Sequence, residues 1–355
     1  MGFNTLFKII ASVAIVCCSY FPLIVHAHVK WFAPYDTTEA PLAISSLLLD
    51  PMFFWVMAIS AVFIFAMSFV DAYTQDLNRL INVSRYRLLK ALPDNFAYLS
   101  LRKTLIVFFC CVWAIGGVVL TPELKHNSLV VAGIQVLIIA SLMTHRTSKF
   151  AGLGIFLLWL YGVKQYGLFH LSDYMIFLGI AVFMLIGSSN QQQKPSALAF
   201  LILYIGISFT LQWASVEKWI YAHWTYPVLQ EREYLTFGMD KELFMIMAGF
   251  VEFALAFLLI AIAGSGFVVT TVSLSLVFIL AIIDFGKIDA IGHLAIIVCL
   301  LLMALKGPSR INLFFANMDP DPARNAIKVT GCYLLSLTFF IAIYYGMFFF
   351  VNVVL

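Results

Sequence analysis

Long apolar runs separated by short polar connections dominate this chain. Eleven stand out, at about 7–26, 51–71, 103–121, 128–144, 149–164, 171–188, 196–214, 242–263, 266–284, 289–305 and 330–354. A helix needs about 20 apolar residues to cross the hydrocarbon core of a bilayer. Lipid offers no partner to backbone amides, so only helices or closed barrels span it. Composition points the same way: 63% of residues are hydrophobic and 11% charged, where a soluble domain carries about 25% charged. The expected fold class is therefore all-α, a multi-pass membrane protein whose main partner is the lipid bilayer.

Charge gives an expected orientation. With the N-terminus inside and connections alternating, fourteen of the 21 lysines and arginines fall on the inner side and seven outside. This bias is the positive-inside rule. It favours an odd number of spans, the C-terminus outside, and a bacterial inner (plasma) membrane. The net charge of +3 gives no reason to expect nucleic acid. No phosphate-binding glycine loop, Ser-His-Asp set or zinc-protease motif occurs in a usable context, so neither nucleic acid nor a nucleotide is an expected partner. The six cysteines lie in apolar runs without a CxxC spacing and read as small hydrophobes.

Histidine sorts the other way. His26, His28, His126, His170, His223 and His293 fall on the outer side, and His145 alone inside. Imidazole is a common metal ligand and a proton carrier near neutral pH. Residues 1–27 have the parts of a secretory signal: Lys8, the apolar stretch Ile9–Val25, and small residues Val25 and Ala27 before a cut. Cleavage after Ala27 is favoured over an uncleaved first helix. His28 would then lead the mature chain, its amine and imidazole suited to Cu(II). His26, His28 and His223 are the candidate metal ligands, with copper or zinc as the metal. The inner loop 72–102 reads as an amphipathic segment on the anionic leaflet.

The chain also repeats. Ala132–Gly133 aligns with Ala248–Gly249, and Lys164 and His170 align with Lys287 and His293, each six residues apart. Each copy holds four helices, at 103–190 and 196–306, flanked by 28–102 and 307–355. An even count gives both copies one orientation, a parallel repeat. The stretches "SVEKW", "AGFVEFALAFLL" and "IGHLAIIVCLLLMAL" in the second copy resemble the DoxX-like family of four-helix membrane proteins. That resemblance implies a redox, quinone-linked membrane subunit working with a partner subunit.

The second copy keeps carboxylates that the first lacks. Glu252 lies roughly 15 Å along its helix, where an ionised group costs at least about 2.5–3.5 kcal/mol. Lys218, Lys287 and His293 are its expected partners, and these four form the expected catalytic set. Trp213, Glu217, Asp284, Lys164 and His170 are the expected cofactor-binding residues of outward-facing pockets, with quinone or copper as the cofactor. The aromatic loop 215–241 is expected to lie at the membrane interface rather than over a pocket. Three functions follow: a quinone-linked subunit, a copper or zinc binding or transport protein, and a non-catalytic assembly subunit.

Overall fold

The protein is described by a computed structural model covering residues 29–33, 35–36, 39–74, 92–187 and 195–351. The signal-like segment, the candidate ligands His26 and His28, and most of the amphipathic loop lie outside these residues. The described chain is an all-α membrane protein with nine principal helices. These are α1 (Pro51–Tyr73), α2 (Phe96–Ile115), α3 (Leu129–Leu142), α4 (Ser148–Leu171), α5 (Met175–Ile186), α6 (Ala197–Ile220), α7 (Lys241–Ala261), α8 (Ser265–Lys306) and α9 (Pro322–Phe349).

Polar residues set where the helices begin. Asp50 accepts from the Met52 amide and Pro51 opens α1. Asp240 accepts from the Glu242 and Leu243 amides at the start of α7. Asp321 and Pro322 repeat the arrangement at α9. Each cap satisfies amides that the first turn cannot, and proline loses nothing at that position.

Two helices are long hairpins. Ser265–Lys306 has 42 residues, a length of roughly 63 Å if straight, about twice a bilayer core. Gly286, with φ of 73°, breaks it. The rings of Phe278 and His293 lie 4.7 Å apart on either side of that break, so the arms run back along each other. Gly167, with φ of 83°, does the same near the end of α4, so that α5 folds back along it. There a Cβ on Gly152 would sit 2.5 Å from the Ala181 carbonyl oxygen, showing how closely the arms pack. The expected spans at 266–284 and 289–305 are thus two arms of one element, folded at a glycine that tolerates positive φ.

Other boundaries moved. α2 begins at Phe96, so Arg102 and Lys103 stand inside the helix. α6 continues to Ile220, which puts Glu217 and Lys218 on a helix rather than in a loop. Residues 116–127 do not continue the third span. They form a tight turn with Val119, Leu120 and Leu124 fully buried and a single antiparallel bridge, Val118 to Lys125. Irregular backbone at this depth needs partners. Gln135 on α3 supplies them by donating to the carbonyls of Val118 (2.6 Å) and Val119 (3.0 Å).

The helices share one apolar core. α6 is buried along most of its length, while α1 and α9 are largely open to the surroundings. At one end, α1 is tied to the start of α8. Asp71 accepts from the amides of Ala263 (3.2 Å), Gly264 (2.8 Å) and Gly266 (2.8 Å). The opposite end holds the tips at Gly167 and Gly286, the inserted turn 116–127 and the segment 29–49. It is called here the histidine-bearing end.

Candidate functional site

A cluster of ionisable side chains lies inside the histidine-bearing end. Lys30, from the 3₁₀ turn Val29–Trp31, reaches between α5's leading turn and α6. It forms ion pairs with Asp173 and, at 2.6 Å, with Glu217. The Lys30 and Asp173 side chains are 3% and 0% exposed. Behind them Glu123, delivered by the inserted turn, lies 3.0 Å from Nε2 of His170 and accepts the Tyr174 hydroxyl. Tyr35 approaches the same His170 nitrogen at 3.5 Å, and Tyr344 donates to Glu217 at 3.5 Å. Three carboxylates, one lysine, one histidine and three tyrosines therefore share one interior.

Local sequence explains how each arrives. Gly167 turns the chain so that His170 and Asp173 follow at the tip. The turn 116–127, opened by Gly116 and Gly117 at φ of 71° and 65°, points Glu123 inward. Glu217 sits three residues before the end of α6. Burial alone would lower the Lys30 ammonium. Asp173, Glu217 and Glu123 outweigh that effect and hold it well above its ordinary value. Lys30 is thus a fixed cation across the physiological range. Burial and the charge of Glu123 push the Tyr35 hydroxyl up, so it stays a proton donor.

The described residues between 35 and 49 form a strap beside the cluster, with Tyr35 against the rings of His170 and Trp224. The rings of Tyr221 and Trp224 stack at 4.1 Å. Glu39 joins strap to helix end: its carboxylate meets His223 at 3.0 Å and accepts from Trp224 Nε1 at 3.1 Å, while its carbonyl accepts from Tyr221. The hydrogen bonds from His223 and Trp224 hold the Glu39 carboxyl below its usual range. The Tyr345 hydroxyl then fixes the Leu42 carbonyl at 2.6 Å. The aromatic loop was expected to lie at the interface. Instead Trp219, Tyr221 and Trp224 are buried: Tyr221 and Trp224 pack against Glu39, and Trp219 against Phe53 and Phe250.

Trp31 and Phe32, which follow Lys30, anchor on α8. The Trp31 ring lies 4.8 Å from that of His293, and Phe32 lies 4.9 Å from Phe285. A Cβ on Gly292 would sit 2.0 Å from the Trp31 ring, so only glycine leaves room there. His293 is buried, with Nδ1 3.1 Å from Asp289 one turn earlier.

The sequence-derived residues divide accordingly. Glu252 on α7 is buried and pairs with Lys218 on α6 at 2.5 Å, as expected. The other two expected partners stand apart: Lys287 is exposed and His293 faces Asp289 and Trp31. Glu217 and His170 enter the Lys30 cluster. Asp284 accepts the Tyr234 hydroxyl at 2.8 Å near the surface, and Lys164 is exposed. Trp213 is packed among Tyr344, Phe169 and Phe209, an aromatic core contact. His223 faces Glu39, and among the described residues no three potential ligands gather around a metal-sized gap. Sequence reasoning missed Lys30, Glu123 and Asp173. The signal was present: each is an ionisable residue beside a glycine turn or aromatic run at the histidine-bearing end.

Comparison with known proteins returns nothing: no family model matches the chain, and no curated protein or solved structure is significantly similar to it.

Proposed function

We propose that this is a proton-handling membrane subunit of the bacterial inner membrane, its histidine-bearing end facing outward. The observation that carries this reading is the charge count of the buried cluster. Among the described residues, Glu123, Asp173 and Glu217 gather around the lysine Lys30. An excess of two negative charges buried at a membrane protein's core is very costly. The cluster therefore holds protons. The tyrosines at 3.5 Å or less extend it toward the strap, where Tyr35 is only half-buried. Intramembrane ionisable groups of this kind mark relays and binding sites by default.

The DoxX-like resemblance supplies the chemistry such a relay would serve. A quinol oxidised near this end gives two electrons to a partner subunit's acceptor and releases two protons, which an acid-rich cluster accepts. In this reading the two four-helix units each contribute acids, and Lys30 joins them. The Lys218–Glu252 pair is the second, simpler site.

The test is infrared difference spectroscopy of lipid-embedded protein across pH 5 to 9. A protonated-carboxyl band should appear and disappear over that range, and Glu217→Gln should remove or shift it. If no carboxyl band titrates, the cluster is a structural tie. Short-chain quinol added to the same samples separates the chemistry. Quenching of tryptophan fluorescence that Glu217→Gln weakens supports the quinone link, and unchanged fluorescence at saturating quinol removes it.

A further inference from the structure

At the opposite end, α3 and α4 diverge enough to leave a groove of about 460 Å³, within the usual size range for small-molecule sites. Its walls are apolar: Leu137 and Ile138 from α3, Phe150 and Leu153 from α4. Gly154 forms the floor, where a Cβ would lie 2.5 Å from Ile138 Cγ1. The groove thus runs along two apolar helices, parallel to where acyl chains lie. Its lining turns polar only at the α3–α4 connection, with Ser141 and Thr147.

That connection is basic and uncompensated. Residues 140–150 contain His145, Arg146 and Lys149 and no acidic side chain. Arg146 and Lys149 are exposed and flank Thr147, and neither forms an ion pair among the described residues. The Lys149 ammonium lies 5.5 Å from the ring of Phe150, which lines the groove, so the charge stands at its mouth. Arg102 on α2 adds positive potential close to His145. An occupant must therefore join a long apolar body to a negative head.

We propose that this groove is a binding site for an anionic phospholipid. One acyl chain lies between α3 and α4, and the phosphate meets the exposed Arg146 and Lys149. Zwitterionic lipids share the tail but not the net charge, so selectivity comes from the two cations. A basic side chain near an anionic lipid surface is worth roughly a 5-fold preference, which gives roughly 30-fold for the pair. The site is remote from the Lys30 cluster and does not depend on the role proposed for it.

The experiment is native mass spectrometry of the purified full chain, delipidated and offered equal phosphatidylglycerol and phosphatidylcholine with identical tails. Wild type should retain phosphatidylglycerol preferentially. The double substitution Arg146→Gln with Lys149→Gln should reduce that preference by roughly 30-fold while leaving helicity unchanged, since both side chains are exposed. Ala140→Trp, which fills the groove from its exposed wall, should lower retention of both lipids. A diazirine-tailed phosphatidylglycerol should label residues between 134 and 157. Equal retention of the two lipids by wild type overturns the proposal. So does a preference untouched by the double substitution, or labelling confined elsewhere.

Discussion

Replacing Lys30 with methionine keeps the stem and removes the ammonium that Asp173 and Glu217 share. Both acids are interior, and Asp173 is 0% exposed. Breaking a buried ion pair by removing one partner costs roughly 3–5 kcal/mol. A second route gives a similar figure. The stranded carboxylate can take a proton instead, and neutralising an ordinary aspartate at pH 7 means moving about three pH units, or roughly 4 kcal/mol. That route also fixes the sign. The variant binds a proton on folding that the unfolded chain does not hold, so its stability falls as pH rises. The deficit relative to wild type should be roughly 4 kcal/mol at pH 7 and fall to between 1 and 2 kcal/mol near pH 5. Denaturation in mixed micelles at both pH values, followed by circular dichroism, measures it. Adding Glu217→Gln to Lys30→Met should restore much of the loss, because the two residues are coupled. A deficit below about 1 kcal/mol that does not change with pH would refute the reasoning.

Further expectations are as direct. Glu252→Gln should leave membrane levels intact and abolish any proton-linked activity, whereas loss of the protein from the membrane would assign the Lys218–Glu252 pair to structure. Asp71→Ala removes an acceptor from three amides at the head of α8; at about 1–3 kcal/mol for each buried donor left unpaired, it should be among the most destabilising polar substitutions in thermal unfolding. Gly292→Leu should expel the Trp31 ring and expose residues 29–36 to protease. The Glu39 carboxyl is held low, so its bonds to His223 and Trp224 persist above the ordinary carboxylate range and are lost as pH falls through the lowered value. Trp224 fluorescence should report that release in acid, and Glu39→Gln should flatten the transition.

Much of this architecture was legible in the sequence because lipid imposes a simple rule: apolar runs become helices. The Lys218–Glu252 pair was legible for the same reason, since a carboxylate deep in an apolar helix demands a cation within reach. The Lys30 cluster was not. Its parts come from five separate places, and Lys30 pairs with an acid 143 positions away. Nothing local in "HVKWF" distinguishes an interfacial anchor from an inserted plug. Gln135 shows the same limit. It stands one residue from Val136, the position aligned with Glu252, yet its amide supports the turn that delivers Glu123. The helical hairpins were hidden too, because only the positive φ at Gly167 and Gly286 reveals that consecutive apolar runs fold back.

The seat of Lys30 also sets an order of events during biosynthesis. Lys30 is made before its socket, and Glu217 emerges 187 positions later, roughly 10–40 s at ordinary translation speeds. Until then no completed socket exists, and the early segment waits outside the growing bundle. A segment made earlier thus docks only once α6 exists, and a nascent protein stalled before α6 should still show that segment open to chemical labelling.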